Sequence, residues 1–117
     1  MNGTFIQDLH AGSTALFSYV HAHRRLWTSL LTGGAAEVVR RVFVDMARKV
    51  ADVRGQPNGW LPADVGAILI AGGTLDLLAW WLGQPNPLPV KRIVEMHVGV
   101  VLSPVIEASS GEVQDDR

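Results

Sequence analysis

Residues 65–82 of this chain form an apolar segment eighteen residues long that carries one charged residue, Asp76. Its apolar residues are not confined to one helical stripe, because residues 68–70 and 77–82 are uninterrupted apolar runs. A helix that is apolar on all sides must be covered on all sides. A chain of 117 residues contains little other protein to cover it. The segment therefore predicts a helix that is partly covered by a partner subunit or by a membrane.

Composition limits the class of protein. Apolar residues make up 48% of the chain and charged residues 18%, which is typical of a folded domain. The formal net charge is −1, and acidic residues are concentrated in residues 107–117, so the preceding residues carry about +2. That charge is too small to predict a nucleic-acid-binding surface. The chain has no cysteine and no recognisable export signal, so disulfides are excluded and we expect a cytoplasmic protein.

Apolar spacing and helix-breaking residues predict an all-α fold of about five helices. The first helix begins near Thr4, with Gly12-Ser13 as a candidate division, and a short second helix ends at a pair of glycines. The third helix, residues 35–53, has the clearest pattern. Its apolar residues follow one another at steps of four, three and four: Val39, Phe43, Met46 and Val50.

Prolines mark the remaining boundaries. Pro62 is typical of the first turn of the fourth helix, and the proline-rich turn 85–89 ends that helix. The fifth helix is predicted to run from Pro89 to about Leu102 and to end before Pro104, because proline disrupts a helix interior. We therefore expect one domain, residues 1–106, followed by an acidic flexible tail, residues 107–117.

The apolar excess on the last two helices favours a partner subunit over a membrane. In a membrane-spanning helix Asp76 would lie inside the hydrocarbon, at a cost of about 2.5–3.5 kcal/mol. Two such helices joined by a short turn can instead pair with their symmetry copies as a four-helix bundle. The predicted homodimer interface comprises small and aliphatic residues of both helices: Gly72, Leu75, Ala79, Val94, Val98 and Val101.

Two separated motifs carry a family resemblance. The first is His23-Arg24-x-Leu26-Trp27-x-x-Leu30-Leu31-x-Gly33; the second runs from Leu61-Pro62 to Leu78-x-Trp80-Trp81-Leu82-x-x-Pro85-x-Pro87-Leu88. Over residues 5–106 this pattern resembles the C-terminal regulatory domain of TetR-family transcriptional repressors. The resemblance implies a helical bundle that dimerises through its last two helices and binds a small-molecule effector, without enzymatic activity or cofactor.

The chain departs from that family in two places. Family members often open the last helix with Ser-Pro-Glu-Glu, whereas this chain has Leu88-Pro89-Val90-Lys91. They also carry an N-terminal helix-turn-helix domain, and the few residues before Thr4 are too short to form one. We therefore expect that this chain by itself does not bind DNA.

An apolar or aromatic effector would need a cavity lined mainly by apolar side chains. The candidate lining residues are Phe17, Trp27, Phe43, Met46 and Trp80, with Asp76 as a candidate polar anchor. For Asp76 three placements stay open: pairing with His97 or an arginine of a neighbouring helix, exposure at the edge of the interface, or a position in the ligand cavity. The aromatic residues have core packing as their alternative role.

Other chemistry finds little support in the sequence. His21 and His23 are two residues apart and would point to different sides of a helix, so no metal site is expected. No serine lies in a G-x-S-x-G motif, and no glycine-rich phosphate loop is present. The alternatives to a regulatory domain are a structural helical module that docks on a different chain and, third, a small membrane protein.

Overall fold

A computed structural model of the chain describes residues 3–54 and 59–110, which form five helices and no strand. This result confirms the predicted all-α class. The helices α1 to α4 are Gly3–Ala22, Arg24–Thr32, Ala36–Arg54 and Ala63–Leu82. The last helix, α5, is built from three contiguous segments, Val90–Met96, His97–Leu102 and Ser103–Ser110.

Helix α1 is continuous, and the candidate division at Gly12-Ser13 is wrong. Serine can interrupt a helix when its hydroxyl bonds to nearby backbone. Here the Ser13 hydroxyl points into the core and bonds to His97, on a different helix. Gly12 is exposed and keeps the helical conformation, and no other part of the described chain lies within 4 Å of the position of its missing Cβ.

Helix α5 passes through Pro104 and ends at Ser110, so the predicted end near Leu102 is wrong. Residues His97–Leu102 form a wider π-helical turn, in which the Ser103 N–H donates to the Val98 carbonyl five residues earlier. A proline clashes with the preceding turn of a regular α-helix and donates no hydrogen bond. The wider turn directly before Pro104 accommodates that ring, as π-turns inside α-helices can.

The longer helix also moves the start of the predicted tail. Residues 107–110 belong to α5 and are partly buried, because the last turn of α5 packs beside the start of α4. Residues 111–117 of the predicted tail lie outside the described part of the chain.

Helix α4 is the central element, in contact with α2, α3 and α5, while α1 packs mainly against α5. Helices α3 and α4 are antiparallel, as two ion pairs between them show: Arg40–Asp76 at 3.5 Å and Arg48–Asp64 at 3.2 Å. The hydrophobic core lies between α1, α4 and α5. Its fully enclosed members are Phe17, Val20, Leu75, Leu78, Trp81, Ile93, Val94 and Val98.

The α4–α5 hairpin is fastened at both ends. At its turn, the Trp81 indole N–H donates to the Leu88 carbonyl at 2.8 Å. At its open end, the backbone N–H groups of Gly59 and Leu61 donate to the carbonyls of Ser109 and Ala108 at 3.1 and 3.2 Å. These two bonds join the loop before α4 to the last described turn of α5.

Candidate functional site

The outer side of α4 carries a row of apolar side chains that the chain itself leaves exposed. We call this row the outer stripe; it consists of Val65, Ile68, Leu69, Ala79 and Trp80, which recur at spacings that place them on one side of the helix. The opposite side of α4 is buried in the core and carries Ala67, Ala71, Thr74, Leu78 and Trp81. Within the described residues the chain therefore covers the inner side of α4 and leaves the outer stripe exposed, and its cover by a partner stays a prediction.

An ion pair lies in the middle of the outer stripe. Asp76 is exposed, and its carboxylate lies 3.5 Å from the guanidinium of Arg40 on α3. Gly72 provides the space for that approach, because a Cβ at this position would lie 3.2 Å from Arg40 Nη1. Of the placements considered for Asp76, the structure has the one in which it pairs with an arginine at the surface.

The structure divides the six predicted interface residues. Leu75, Val94 and Val98 are buried in the chain's own core, so they are not available to a second copy. Ala79 is exposed on the outer stripe, while Gly72 and Val101 are partly buried. The predicted set mixed two faces of α4, because a helix that is apolar on both sides gives no sequence signal for which side faces inwards.

The small residues of α4 also serve contacts within the chain. A Cβ on Gly73 would lie 3.0 Å from Val101 Cγ1, and a Cβ on Gly66 would lie 2.6 Å from Ser109 Oγ. Ala67 and Ala71 are buried in the core. These residues let α4 and α5 approach closely, and the close packing expected between subunits occurs inside one subunit.

The predicted cavity residues fall into three groups. Phe17 is fully buried and lies edge-on to Trp81, with ring centroids 5.3 Å apart. Trp27 and Phe43 form a second edge-on pair at 6.2 Å, between α2 and α3. Met46 and Trp80 are largely exposed, on α3 and α4 respectively. Trp27 and Phe43 are in contact with each other, and Phe17 has the packing of a core residue.

Trp27 has one unsatisfied polar atom. Its indole Nε1 is buried and has no hydrogen-bond partner among residues 3–54 and 59–110. Buried polar groups nearly always have a partner, so an orphan donor of this kind calls for an explanation. Among the predicted cavity residues, this indole N–H is the buried donor whose acceptor would have to come from outside the described residues.

A polar cluster that the sequence did not reveal joins α1, α4 and α5. His97 is buried, with Ser13 Oγ 2.7 Å from its Nδ1 and Thr74 Oγ1 2.7 Å from its Nε2. The Phe17 ring lies edge-on to the imidazole at 5.1 Å. The sequence analysis considered His97 as a partner of Asp76, whereas the structure pairs it with Ser13 and Thr74. Its position inside the apolar run 96–102 was the available signal.

Burial lowers the pKa of His97 from 6.5 to about 4, because the charged imidazolium loses its hydration. The ring is therefore neutral at pH 7 and offers one donor and one acceptor. One of the two hydroxyls accepts from the ring N–H, and the other donates to the bare ring nitrogen. The neutral His97 ring thus links hydroxyls on two different helices, one through its N–H and the other through its bare nitrogen.

The cluster has no means to act as a nucleophilic site. A Ser–His pair can activate a serine for attack, but the attacked group must reach the hydroxyl. Ser13 and His97 are exposed by only 4% and 3%, and the second ring nitrogen bonds to a threonine in place of a carboxylate. No group of three potential metal-binding side chains occurs in the described ranges either.

Comparisons of the chain with models of protein families, with curated proteins and with solved structures find no match. Two helices, Ala63–Leu82 and Val90–Ser110, are long and apolar enough to cross a bilayer on length and composition alone. Core helices of soluble proteins pass the same test, so this finding is weak support for a membrane protein.

Proposed function

We propose that this chain is an all-α regulatory domain that forms a homodimer, similar in organisation to the C-terminal domain of TetR-family repressors. The observation that carries the proposal is the outer stripe of α4. Exposed apolar patches that are continuous and bordered by polar residues are typical of protein–protein contact sites. The two sequence motifs described above supply the resemblance to that family.

Charge complementarity favours a second copy as the occupant of the outer stripe. Arg40 and Asp76 lie at its middle, with apolar residues on both sides of the pair. In a twofold interface the same patch faces itself. Two antiparallel stripes would set the apolar halves against each other and place each Arg40 near the Asp76 of the other copy, so that no charge is left unpaired.

A stable dimer needs more area than one stripe provides, about 800 Å² from each partner. Helix α5 lies beside α4 and contributes further exposed apolar surface, most of all Val100, which is 74% exposed. The proposed interface therefore comprises the outer stripe and the exposed side of α5, and from two chains it makes an intermolecular four-helix arrangement.

The interface is tested by a matched pair of charge substitutions. Leu69 on the outer stripe and Val42 on α3 are 48% and 49% exposed, so a glutamate at either position can reach water in the isolated fold. We expect the parent chain and Val42→Glu to sediment as dimers and Leu69→Glu to sediment as a folded monomer. A parent that is a stable monomer, or a Leu69→Glu variant that stays dimeric, would contradict the proposal; the monomer would favour the module that docks on a different chain.

A second role, effector binding, is favoured by the orphan indole of Trp27. An apolar or aromatic molecule with a hydrogen-bond acceptor would pair with Nε1 and pack against Phe43. A ligand that binds only the folded state stabilises it by about 2.7 kcal/mol at one hundred times its dissociation constant. A thermal-shift screen of acceptor-bearing aromatic compounds tests this role. Hits are expected to lose affinity in Trp27→Phe, which keeps the aromatic ring and removes the N–H, and equal affinity in both proteins would exclude the indole as the anchor.

Under this proposal, the chain by itself does not bind DNA. The formal charge of about +2 before the acidic residues is small beside what phosphate neutralisation requires. Retention of a duplex at low salt that disappears at moderate salt would show nonspecific binding, and sequence-selective retention would contradict the proposal.

A further inference from the structure

We propose that the Ser13–His97–Thr74 cluster is an acid-sensitive joint, and that protonation of His97 releases helix α1 from α4 and α5 while the α3–α4 pair stays folded. The inference concerns a conformational change and does not depend on the proposed dimer or effector.

The geometry makes His97 the place where three helices meet. Its two ring nitrogens bond to Ser13 on α1 and Thr74 on α4, each at 2.7 Å, and its backbone belongs to α5. A second proton turns the ring into a donor at both nitrogens. The hydroxyl that had donated to the ring must then rotate away. The charged imidazolium of His97 is left buried, with only 3% of the residue exposed to solvent.

Few of the described side chains of helix α1 are buried, and two of the three contact His97. Its buried side chains among residues 6–22 are Ser13, Phe17 and Val20. Ser13 bonds to His97, and Phe17 contacts the rings of both His97 and Trp81. Hydration of a charged His97 would therefore disturb the contacts that hold α1 in place.

Helix α3 makes contacts with its neighbours that do not include His97. They are the ion pairs Arg40–Asp76 and Arg48–Asp64 with α4, and the packing of Phe43 against Trp27 of α2. None of these contacts includes a group of the cluster. An opening of α1 can thus precede the loss of the α3–α4 pair.

No charged neighbour compensates an imidazolium at this position. The ionisable side chains of the three helices are all at least partly exposed, and none bonds to His97 within the described chain. They are Asp8, His10, Tyr19 and His21 on α1, Asp64 and Asp76 on α4, and Lys91, Arg92, Glu95 and Glu107 on α5. The lowered pKa of His97 accordingly has desolvation as its cause.

Hydrogen exchange of the full chain, read by mass spectrometry at a series of pH values, tests the proposal. After correction for intrinsic exchange, we expect the protection of α1 amides to fall by up to about tenfold per pH unit between pH 6.5 and 4, since opening takes up one proton. At every pH in this range the α3 amides are expected to stay more protected than the α1 amides, because the α3–α4 pair remains folded in the opened state.

Two variants separate His97 from other acid effects. The triple variant His97→Leu, Ser13→Ala, Thr74→Val removes all three polar groups together, which avoids leaving one of them unpaired in the core. Its α1 protection is expected to be independent of pH in this range. The control variant, His10→Gln, changes an exposed histidine of α1 and should keep the full pH dependence of α1 protection.

Three results would overturn the inference. They are constant α1 protection in the parent chain down to pH 4.5, equal protection of α1 and α3 amides throughout the range, and an unchanged pH dependence in the triple variant. The first two are measured on the parent chain alone, so the test stands even if the triple variant does not fold.

Discussion

Phe17 on α1 and Trp81 on α4 meet edge to face, with ring centroids 5.3 Å apart and planes inclined by 65°. Both side chains are fully buried, and Trp81 in addition bonds to the Leu88 carbonyl in the turn before α5. Aromatic pairs in this geometry contribute about 0.5–1.5 kcal/mol beyond the area they bury. The pair therefore ties the first helix to the hairpin formed by the last two.

Leu78 tests the placement of the core. It is fully buried on the inner side of α4, and Leu78→Ala is expected to lower the free energy of unfolding by about 2–5 kcal/mol. Leu26→Ala, at a leucine that is 53% exposed on α2, provides the control and should cost less than about 1 kcal/mol. Urea unfolding followed by circular dichroism measures both; comparable losses would mean that the inner side of α4 has been assigned incorrectly.

Stability is expected to depend on pH through His97. Its pKa is about 4 in the folded chain and 6.5 in the unfolded chain, so between these values the unfolded state binds a proton that the folded state does not. The free energy of unfolding should therefore fall as the pH drops from 6.5 to 4, by about 3 kcal/mol in total. Titration of the His97 ring by NMR checks the cause directly, and a His97 pKa near 6.5 in the folded protein would disprove it.

Two glycines are expected to respond in opposite ways to alanine. A Cβ at Gly59 would overlap the Ala108 carbonyl, so Gly59→Ala must displace the loop that caps α5 and should destabilise the fold. A Cβ at Gly12 would meet nothing within 4 Å, and alanine is the better helix former, so Gly12→Ala should stabilise by about 0.5–1 kcal/mol. Thermal melts of the two variants at one protein concentration distinguish these outcomes by sign.

The Arg40–Asp76 pair is expected to contribute little to the stability of a single chain. Both side chains are largely exposed and lie 3.5 Å apart, and exposed ion pairs typically contribute about 0–1 kcal/mol. Asp76→Asn should therefore change the free energy of unfolding of a monomeric background such as Leu69→Glu by less than about 1 kcal/mol. A larger loss would show that Asp76 is buried against other groups.

The helical fold was predictable because its signals are local. The predicted third helix, residues 35–53, differs from Ala36–Arg54 by one residue at each end. Pro62 and the proline-rich turn 85–89 placed the start of α4, its end and the start of α5 to within a few residues. Pro104 was a misleading signal for the end of α5, because the π-turn that accommodates it leaves no periodic pattern in the sequence.

The sites were less predictable because they depend on which side of a helix faces the core. Leu75 and Leu69 are both leucines of α4, yet only Leu75 is buried. Ser13, Thr74 and His97 are far apart in the sequence, and nothing local predicts that they meet. Pairing of Asp76 with an arginine was one of the placements considered. The sequence could not select it, because it depends on where α3 brings Arg40.

Two backbone hydrogen bonds join the loop before α4 to the end of α5, so the segment from Gly59 to Ser110 is closed by contacts between its two ends. A pulling force applied at these two residues would load the Gly59–Ser109 and Leu61–Ala108 bonds before any helix could unwind. The α4–α5 hairpin therefore resists being peeled apart from its open end. When the hairpin opens from this end, the amide protons of Gly59 and Leu61 would lose their hydrogen bonds before the helices unwind.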